Sequence, residues 1–184
     1  MTERATTSAP AGSGAKPANL PKHIHLLGAG GAGLSGAARL LARRGHVVTG
    51  YDREASPFTG VLEELGIPLT FGESDGAHLP ESAGRVARAA AGGDDDPQIV
   101  LARERGVGVI KYAQLVAALW PEGRTLAVAG THGKTTTAWM LHGALGATGG
   151  PAPGALVGGL QAGLRTTAVA PDEGGWFSLE ACEY

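Results

Sequence analysis

The 184-residue sequence has one cysteine, Cys182, and therefore no internal disulfide and no thiol-rich metal cluster. Its 15 basic and 17 acidic residues give a net charge of -2, which excludes the strongly basic surface of a nucleic-acid-binding protein. No apolar run approaches the roughly 18 residues of a membrane span, and the N-terminus lacks the apolar segment of a signal peptide. We expect a cytoplasmic protein that binds neither nucleic acid nor membrane, of unspecified oligomeric state.

Aromatic residues are scarce, at 5%, whereas glycine is abundant, at 31 residues. That number is well above the usual share of about 7%. Glycine adopts backbone conformations that other residues avoid, and it lets the backbone approach a ligand closely. The excess therefore indicates ligand-binding loops.

Apolar periodicity predicts an α/β protein, because short strands alternate with helices from His23 onward. The predicted strands are HIHLL, HVVTGYD, IPLTF, VGVIKY, TLAVAG and GWFSLEACEY, and the predicted helices lie around LSGAARLLARRG, FTGVLEELG, QIVLARERG, YAQLVAALW and KTTTAWMLHGALG. We expect a disordered tail at 1–21, a Rossmann-like parallel-sheet domain at 22–121, and the start of a P-loop ATPase domain at 122–184. A mobile loop is predicted from Gly146 to Gly154.

The first glycine motif is GAGGAG, which follows a strand, opens a helix and matches G-x-G-x-x-G. Such a loop brings backbone N–H groups and a helix N-terminus to a diphosphate. Asp52 ends the next strand, where a carboxylate can hold a ribose hydroxyl. Local sequence alone predicts an NAD site, and the simpler alternative is that the glycines only pack helix against strand.

The second motif, GTHGKTT, also joins a strand to a helix, but Val128 stands where a P-loop would have its first glycine. Its backbone N–H groups can surround phosphate oxygens, Lys134 can neutralise them, and the Thr135 hydroxyl can reach Mg²⁺. His132 fits equally well as a ligand contact or as a residue that supports the turn.

Three segments, HIHLLGAGGAGLSG, GTHGKTTT and EACEY, together resemble the Mur ligases, and within them the branch that adds L-alanine to UDP-N-acetylmuramate. That family has the same shortened loop. Histidine at position 132 is similar to the alanine-adding members and to their tripeptide-recycling relatives. The resemblance runs from about His23 to the C-terminus.

The resemblance implies that the first unit binds the UDP-sugar and not a redox cofactor. The implied substrate contacts are Gly28, Gly30, Gly31, Gly33, Ser35, Gly36 and Asp52. The implied ATP contacts are Gly130, Thr131, His132, Gly133, Lys134, Thr135 and Thr136. The implied catalytic residues are Lys134 and Glu183, and the implied Mg²⁺ ligands are Thr135 and Glu183, with Glu180 close by. Alternatively, the two glutamates merely end a strand.

The implied reaction is amide formation. The muramate carboxylate would attack the γ-phosphate of ATP to form an acyl phosphate, and L-alanine would then displace phosphate. Lys134 and Mg²⁺ would stabilise the transferred charge.

Two departures from the family pattern stand out. The stretch GRVARAAAGGDDDPQIV replaces an apolar strand and turn, and Arg85 and Arg88 interrupt it, which predicts a weak strand and puts nearby substrate contacts in doubt. The chain also stops at Tyr184, before the family's later metal-binding histidine and amino-acid-binding domain. We therefore expect a fragment or degraded copy that does not ligate alone.

Three alternatives stay open. One is the tripeptide-recycling ligase, and another is a non-catalytic module that binds the UDP-sugar. The third, an NAD-dependent oxidoreductase, leaves GTHGKTT unexplained.

Overall fold

The computed structural model describes residues 19–89, 93–119, 124–161, 163 and 165–181. The strands of the first sheet are β1 (His23–Leu27), β2 (Val47–Asp52), β3 (Leu69–Phe71), β4 (Arg85–Arg88) and β5 (Gly108–Lys111). Those of the second sheet are β6 (Thr125–Val128), β7 (Gly154–Gln161), β8 (Thr166–Val169) and β9 (Phe177–Glu180). The helices are α1 (Ala32–Arg43), α2 (Pro57–Glu64), α3 (Pro97–Glu104), α4 (Tyr112–Ala118) and α5 (Lys134–Gly146), with a 3₁₀ turn at Gly76–His78.

The first sheet has the order β3-β2-β1-β4-β5, and all its paired strands are parallel. This arrangement confirms the predicted Rossmann-like unit. The chain order reverses between β1 and β4, and in such sheets ligands bind at the carboxyl ends of the strands beside this reversal. The loop after β1, which carries the first glycine motif, lies at that edge.

Strand β4 forms despite the two arginines that predicted a weak strand. Val86 and Ala87 are fully buried, and the strand pairs with both β1 and β5. Arg88 ends the strand, and its guanidinium contacts the Asp94 carboxylate at 3.0 Å. Burial of this arginine is compatible with the fold because an acidic partner accompanies it.

The second sheet has the order β6-β9-β7-β8, with β7 and β8 antiparallel. Strands β6 and β9 match the predicted strands, whereas β7 and β8 were missed. Strand β7 contains Gly154, Gly158 and Gly159, and glycine is depleted in strands, so its sequence gives a poor strand signal, whereas β8 is only four residues long. The loop predicted from Gly146 to Gly154 runs from the end of α5 to the start of β7.

Helix α1 joins the two sheets, because it belongs to the first unit and packs on β7 and β8 of the second. A Cβ atom on Gly36 would lie 2.6 Å from Leu156 Cδ1 and 2.8 Å from Thr167 Oγ1. Leu156 and Ala168 share one apolar cluster with the residues of β1 and α1. The glycine therefore permits close contact between the units.

Some predictions concern residues outside the described ranges. These include most of the 1–21 tail, residues 120–123 at the proposed domain boundary, and Glu183. The two sheets lie on either side of that boundary.

None of the helices described above is long and apolar enough to cross a membrane.

A buried polar network lies on the face of the first sheet opposite to α1, where α3 packs. Nε2 of His25 donates to Oε1 of Gln98 at 2.9 Å, and Nδ1 lies 2.8 Å from the Thr49 hydroxyl, from which it accepts. The pKa of His25 falls from 6.5 to about 4, mainly because the ring is buried; the hydrogen bond to Gln98 opposes this shift and the charge of neighbouring His23 adds to it. The imidazole is therefore neutral at pH 7.

Acidification is expected to weaken the fold through His25. In the unfolded chain this histidine takes up a proton as the pH falls below its ordinary pKa of 6.5, whereas in the folded chain it resists protonation down to about pH 4. Between about pH 7.5 and about pH 5 this difference lowers the free energy of unfolding by about 2 kcal/mol. Urea unfolding at the two pH values measures it.

The matched variants for this experiment are His25→Gln and His132→Gln. The first removes the titrating group and is expected to have a smaller loss of stability on acidification. The second changes an exposed histidine and is expected to follow the wild type. An unchanged pH dependence in His25→Gln would contradict the assignment.

Candidate functional site

The first glycine loop connects β1 to α1 at the carboxyl edge of the sheet. Gly28 has φ +88°, a conformation that favours glycine, and its N–H donates to the carbonyl of Tyr51 at 2.8 Å. Helix α1 then begins at Ala32. The N–H groups of its first turn have no partner within the helix, so they are available to an anion.

Asp52, predicted to contact the ribose, supports the loop itself. Its Oδ2 accepts from the Gly30 N–H at 2.7 Å, and its Oδ1 accepts from the Arg53 N–H at 2.7 Å. The Ser56 hydroxyl donates to the Gly30 carbonyl at 2.8 Å. These bonds hold the loop in place without a ligand, and a ligand contact by Asp52 stays a prediction.

Two other predicted substrate contacts, Ser35 and Gly36, do not face the ligand side of the first glycine loop. Ser35 is buried, and its hydroxyl donates to the Ala32 carbonyl at 2.9 Å. Gly36 packs against β7 and β8, as described above. Both residues therefore have structural reasons for their identity, and their predicted role in substrate binding is untested.

The second loop connects β6 to α5, and two of its glycines adopt conformations that other residues avoid. Gly130 has φ +148° and Gly133 has φ +74° as the residue that caps α5. Thr131, His132 and Thr136 are exposed around them. The N–H groups at the start of α5 therefore face solvent where phosphate oxygens can reach them.

Lys134 folds back over this loop, and its Nζ donates to the Gly130 carbonyl at 2.8 Å. A lysine has three donors on a flexible stem, so the ammonium can exchange this carbonyl for a phosphate oxygen. The geometry keeps the positive charge at the loop before any ligand arrives.

Thr135 meets a carboxylate, which belongs to Glu180. The threonine hydroxyl lies 3.1 Å and 3.0 Å from the two oxygens of Glu180, and the Gly158 N–H donates to Oε2 at 2.7 Å. Glu180 is 8% exposed. The structure thus brings one of the two candidate glutamates to the predicted metal position.

The position of Glu180 follows from strand pairing. Glu180 ends β9 and pairs in register with Val128, which ends β6 immediately before the loop. Parallel neighbours end at the same edge of a sheet, so an acidic residue ending β9 lies beside the loop. The family resemblance favoured Glu183 for this role, because the register that places Glu180 beside the loop is seen only in the structure.

A family profile described as "Mur ligase family, catalytic domain" matches residues 23–122. The chain is 45% identical over 136 residues to the UDP-N-acetylmuramate--L-alanine ligase of Rubrobacter xylanophilus, covering 74% of this chain and 30% of that protein. It is 43% identical over 166 residues to the ligase of the same name from Kineococcus radiotolerans, covering 87% and 34%.

Two solved structures have a similar fold. The UDP-N-acetylmuramate-alanine ligase of Thermotoga maritima superposes with a TM-score of 0.77 at 30% identity, over 86% of this chain and 36% of that one. The UDP-N-acetylmuramate:L-alanyl-gamma-D-glutamyl-meso-diaminopimelate ligase of Neisseria meningitides has a TM-score of 0.73 at 31% identity, over 86% and 51%. This chain spans about a third of the length of its matched sequence relatives. The family profile covers more than half of the chain, which therefore belongs to the Mur ligase family.

Proposed function

We propose that the chain provides the sugar-nucleotide and ATP sites of a cytoplasmic ligase that joins L-alanine to UDP-N-acetylmuramate. The observation that supports this proposal is the presence of two glycine-rich strand–loop–helix junctions, each with N–H groups at a helix start, in units that pack together through α1. The names of the relatives supply the substrates. An NAD-dependent oxidoreductase requires only the first of these junctions.

The second loop is the ATP site in this proposal, with Lys134 on the outer phosphates. A hydroxyl and a carboxylate that meet at 3.0 Å, Thr135 and Glu180, fit Mg²⁺, which prefers oxygen ligands and takes its remaining ones from phosphates and water. No cluster of three or more His, Cys, Asp or Glu side chains able to hold a metal occurs among the described residues. A site with few protein ligands suits Mg²⁺.

The chemistry proposed for the complete enzyme needs positioning and charge stabilisation, and no covalent nucleophile from this chain. When bound, MgATP supplies the phosphoryl group that activates the muramate carboxylate towards the amine of L-alanine. Lys134 holds positive charge at the transferred oxygens, and the N–H groups of the second loop orient them. The first loop holds the diphosphate of the sugar nucleotide, so that its carboxylate is presented to the second site.

A tripeptide-adding ligase is the second candidate, and the Neisseria structure favours it as an alternative. The two candidates share the sugar nucleotide and ATP, and they differ in the amine that they accept. Comparison of L-alanine with the tripeptide as co-substrate of the full-length enzyme distinguishes them.

Calorimetric titration of the chain with UDP-N-acetylmuramate and with NAD tests the proposal for the first unit. We expect the UDP-sugar to bind at least about tenfold more tightly, a difference of about 1.4 kcal/mol. Tighter binding of NAD would refute the ligase assignment of this unit.

A further inference from the structure

Tyr112 lies at the edge of the first sheet that carries the glycine loop. It is the first residue of α4 and directly follows β5. Strand β5 pairs with β4, and β4 pairs with β1, all in parallel. The carboxyl ends of these strands therefore meet at one edge, and the tyrosine and the loop after β1 share it.

The tyrosine ring packs against the backbone of Gly33, in the first turn of α1. A Cβ atom on Gly33 would lie 2.8 Å from Tyr112 Cζ and 3.0 Å from its hydroxyl oxygen. Gly33 lacks the positive φ that would itself demand glycine. A side chain at position 33 would therefore have to displace the phenol end of Tyr112, and glycine leaves room for the ring.

The phenol lies beside the available donors of α1. The first turn of the helix contains Ala32, Gly33 and Leu34, and their N–H groups have no partner within the helix. The N–H of Ser35 is the first to bond back, to the Gly31 carbonyl at 3.0 Å. An anion held by these donors would be adjacent to the hydroxyl of Tyr112, a half-buried residue.

We propose that Tyr112 is a binding residue of the sugar-nucleotide site, with its O–H donating to the diphosphate. This inference rests on the proposed function of the first unit. A phenol can donate to a phosphate oxygen without adding charge, and hydrogen bonds to charged oxygens are stronger than neutral ones. The ring also forms a wall that fixes where the diphosphate lies relative to α1.

The experiment compares wild type, Tyr112→Phe and Tyr112→Ala with three ligands: UDP-N-acetylmuramate, UDP and uridine. Calorimetry measures the first two, and NMR titration measures the third. Tyr112→Phe keeps the ring and is expected to weaken binding of both diphosphates by at least about tenfold. Binding of uridine, which has no phosphate, is expected to change less than about twofold. Tyr112→Ala is expected to lose at least as much diphosphate affinity.

The possible results separate the inference from the proposed function. If wild type binds UDP-N-acetylmuramate and Tyr112→Phe binds it equally well, the inference is wrong and the proposed function stands. Equal weakening of UDP and uridine would also overturn the inference, because the effect would not depend on phosphate. If wild type prefers NAD, the proposed function of this unit fails first. Thermal unfolding and binding of a MgATP analogue to Tyr112→Phe, both expected to match wild type, show that the fold is retained.

Discussion

Replacing Lys134 by methionine is expected to lower the affinity of the chain for a non-hydrolysable MgATP analogue by about 100-fold. The ammonium lies at the second loop, 2.8 Å from the Gly130 carbonyl, where it can reach a phosphate held by that loop. Hydrogen bonds to charged groups are worth about 1.5–3 kcal/mol, and each 1.4 kcal/mol is a factor of about ten in affinity. In the longest form of the protein that the reading frame encodes, phosphoryl transfer is expected to fall by about 100- to 1,000-fold.

The matched control is Lys22→Met. Lys22 is exposed and, like Lys134, donates to a backbone carbonyl, that of Gly45 at 2.6 Å, at the start of the first unit. This variant is expected to bind both ligands as wild type does. Lys134→Met is expected to retain UDP-N-acetylmuramate binding. Loss of binding of both ligands by Lys134→Met would show that the substitution unfolds the chain. Unchanged affinity of Lys134→Met for the MgATP analogue would show that the role assigned to Lys134 is wrong.

Replacing Glu180 by glutamine is expected to lower the affinity for the ATP analogue by about 10- to 100-fold when Mg²⁺ is present. Glutamine keeps an oxygen that can accept from the Gly158 N–H, but it removes the negative charge beside the Thr135 hydroxyl. Mg²⁺ prefers charged oxygen ligands, so the loss should concern the metal-bound nucleotide. Calorimetry with Mg²⁺ and with EDTA measures the two cases.

Two further variants serve as controls for Glu180→Gln. Glu173→Gln changes an exposed acidic residue between β8 and β9 and is expected to bind the nucleotide as wild type does. Thr135→Ser keeps the hydroxyl and is expected to retain most of the affinity. Equal losses with Mg²⁺ and with EDTA would show that Glu180 acts on the fold and not on the metal.

Much of the first unit was predictable because its sequence signals agree with one another. Strand β1 is apolar, Gly28 follows it, and apolar residues of α1 recur at helical spacing. Strand β4 was harder to predict, because Arg88 reads as a break in the strand. The Arg88 guanidinium contacts the carboxylate of Asp94, six residues away, and no local pattern reveals this contact.

The contact between the units could not be read from the sequence. Ser35 and Gly36 lie just after the glycine motif, and the resemblance assigns both to the substrate, yet Gly36 packs against β7 and β8, two strands that were not predicted, and the Ser35 hydroxyl donates to the Ala32 carbonyl. Asp52 likewise occupies the ribose-binding position of a dinucleotide motif, while its carboxylate accepts from Gly30. In both cases a three-dimensional neighbour accounts for a residue that a linear motif assigns to a ligand.

Occupancy by two ligands at once tests the central claim, that this chain holds a sugar nucleotide and ATP at separate sites. The measurement is equilibrium dialysis of the chain with labelled UDP-N-acetylmuramate and a differently labelled MgATP analogue, each near saturation. The account predicts one equivalent of each per chain, with neither displacing the other and with NAD displacing neither. Mutual displacement of the two nucleotides, or displacement of the UDP-sugar by NAD, would contradict it.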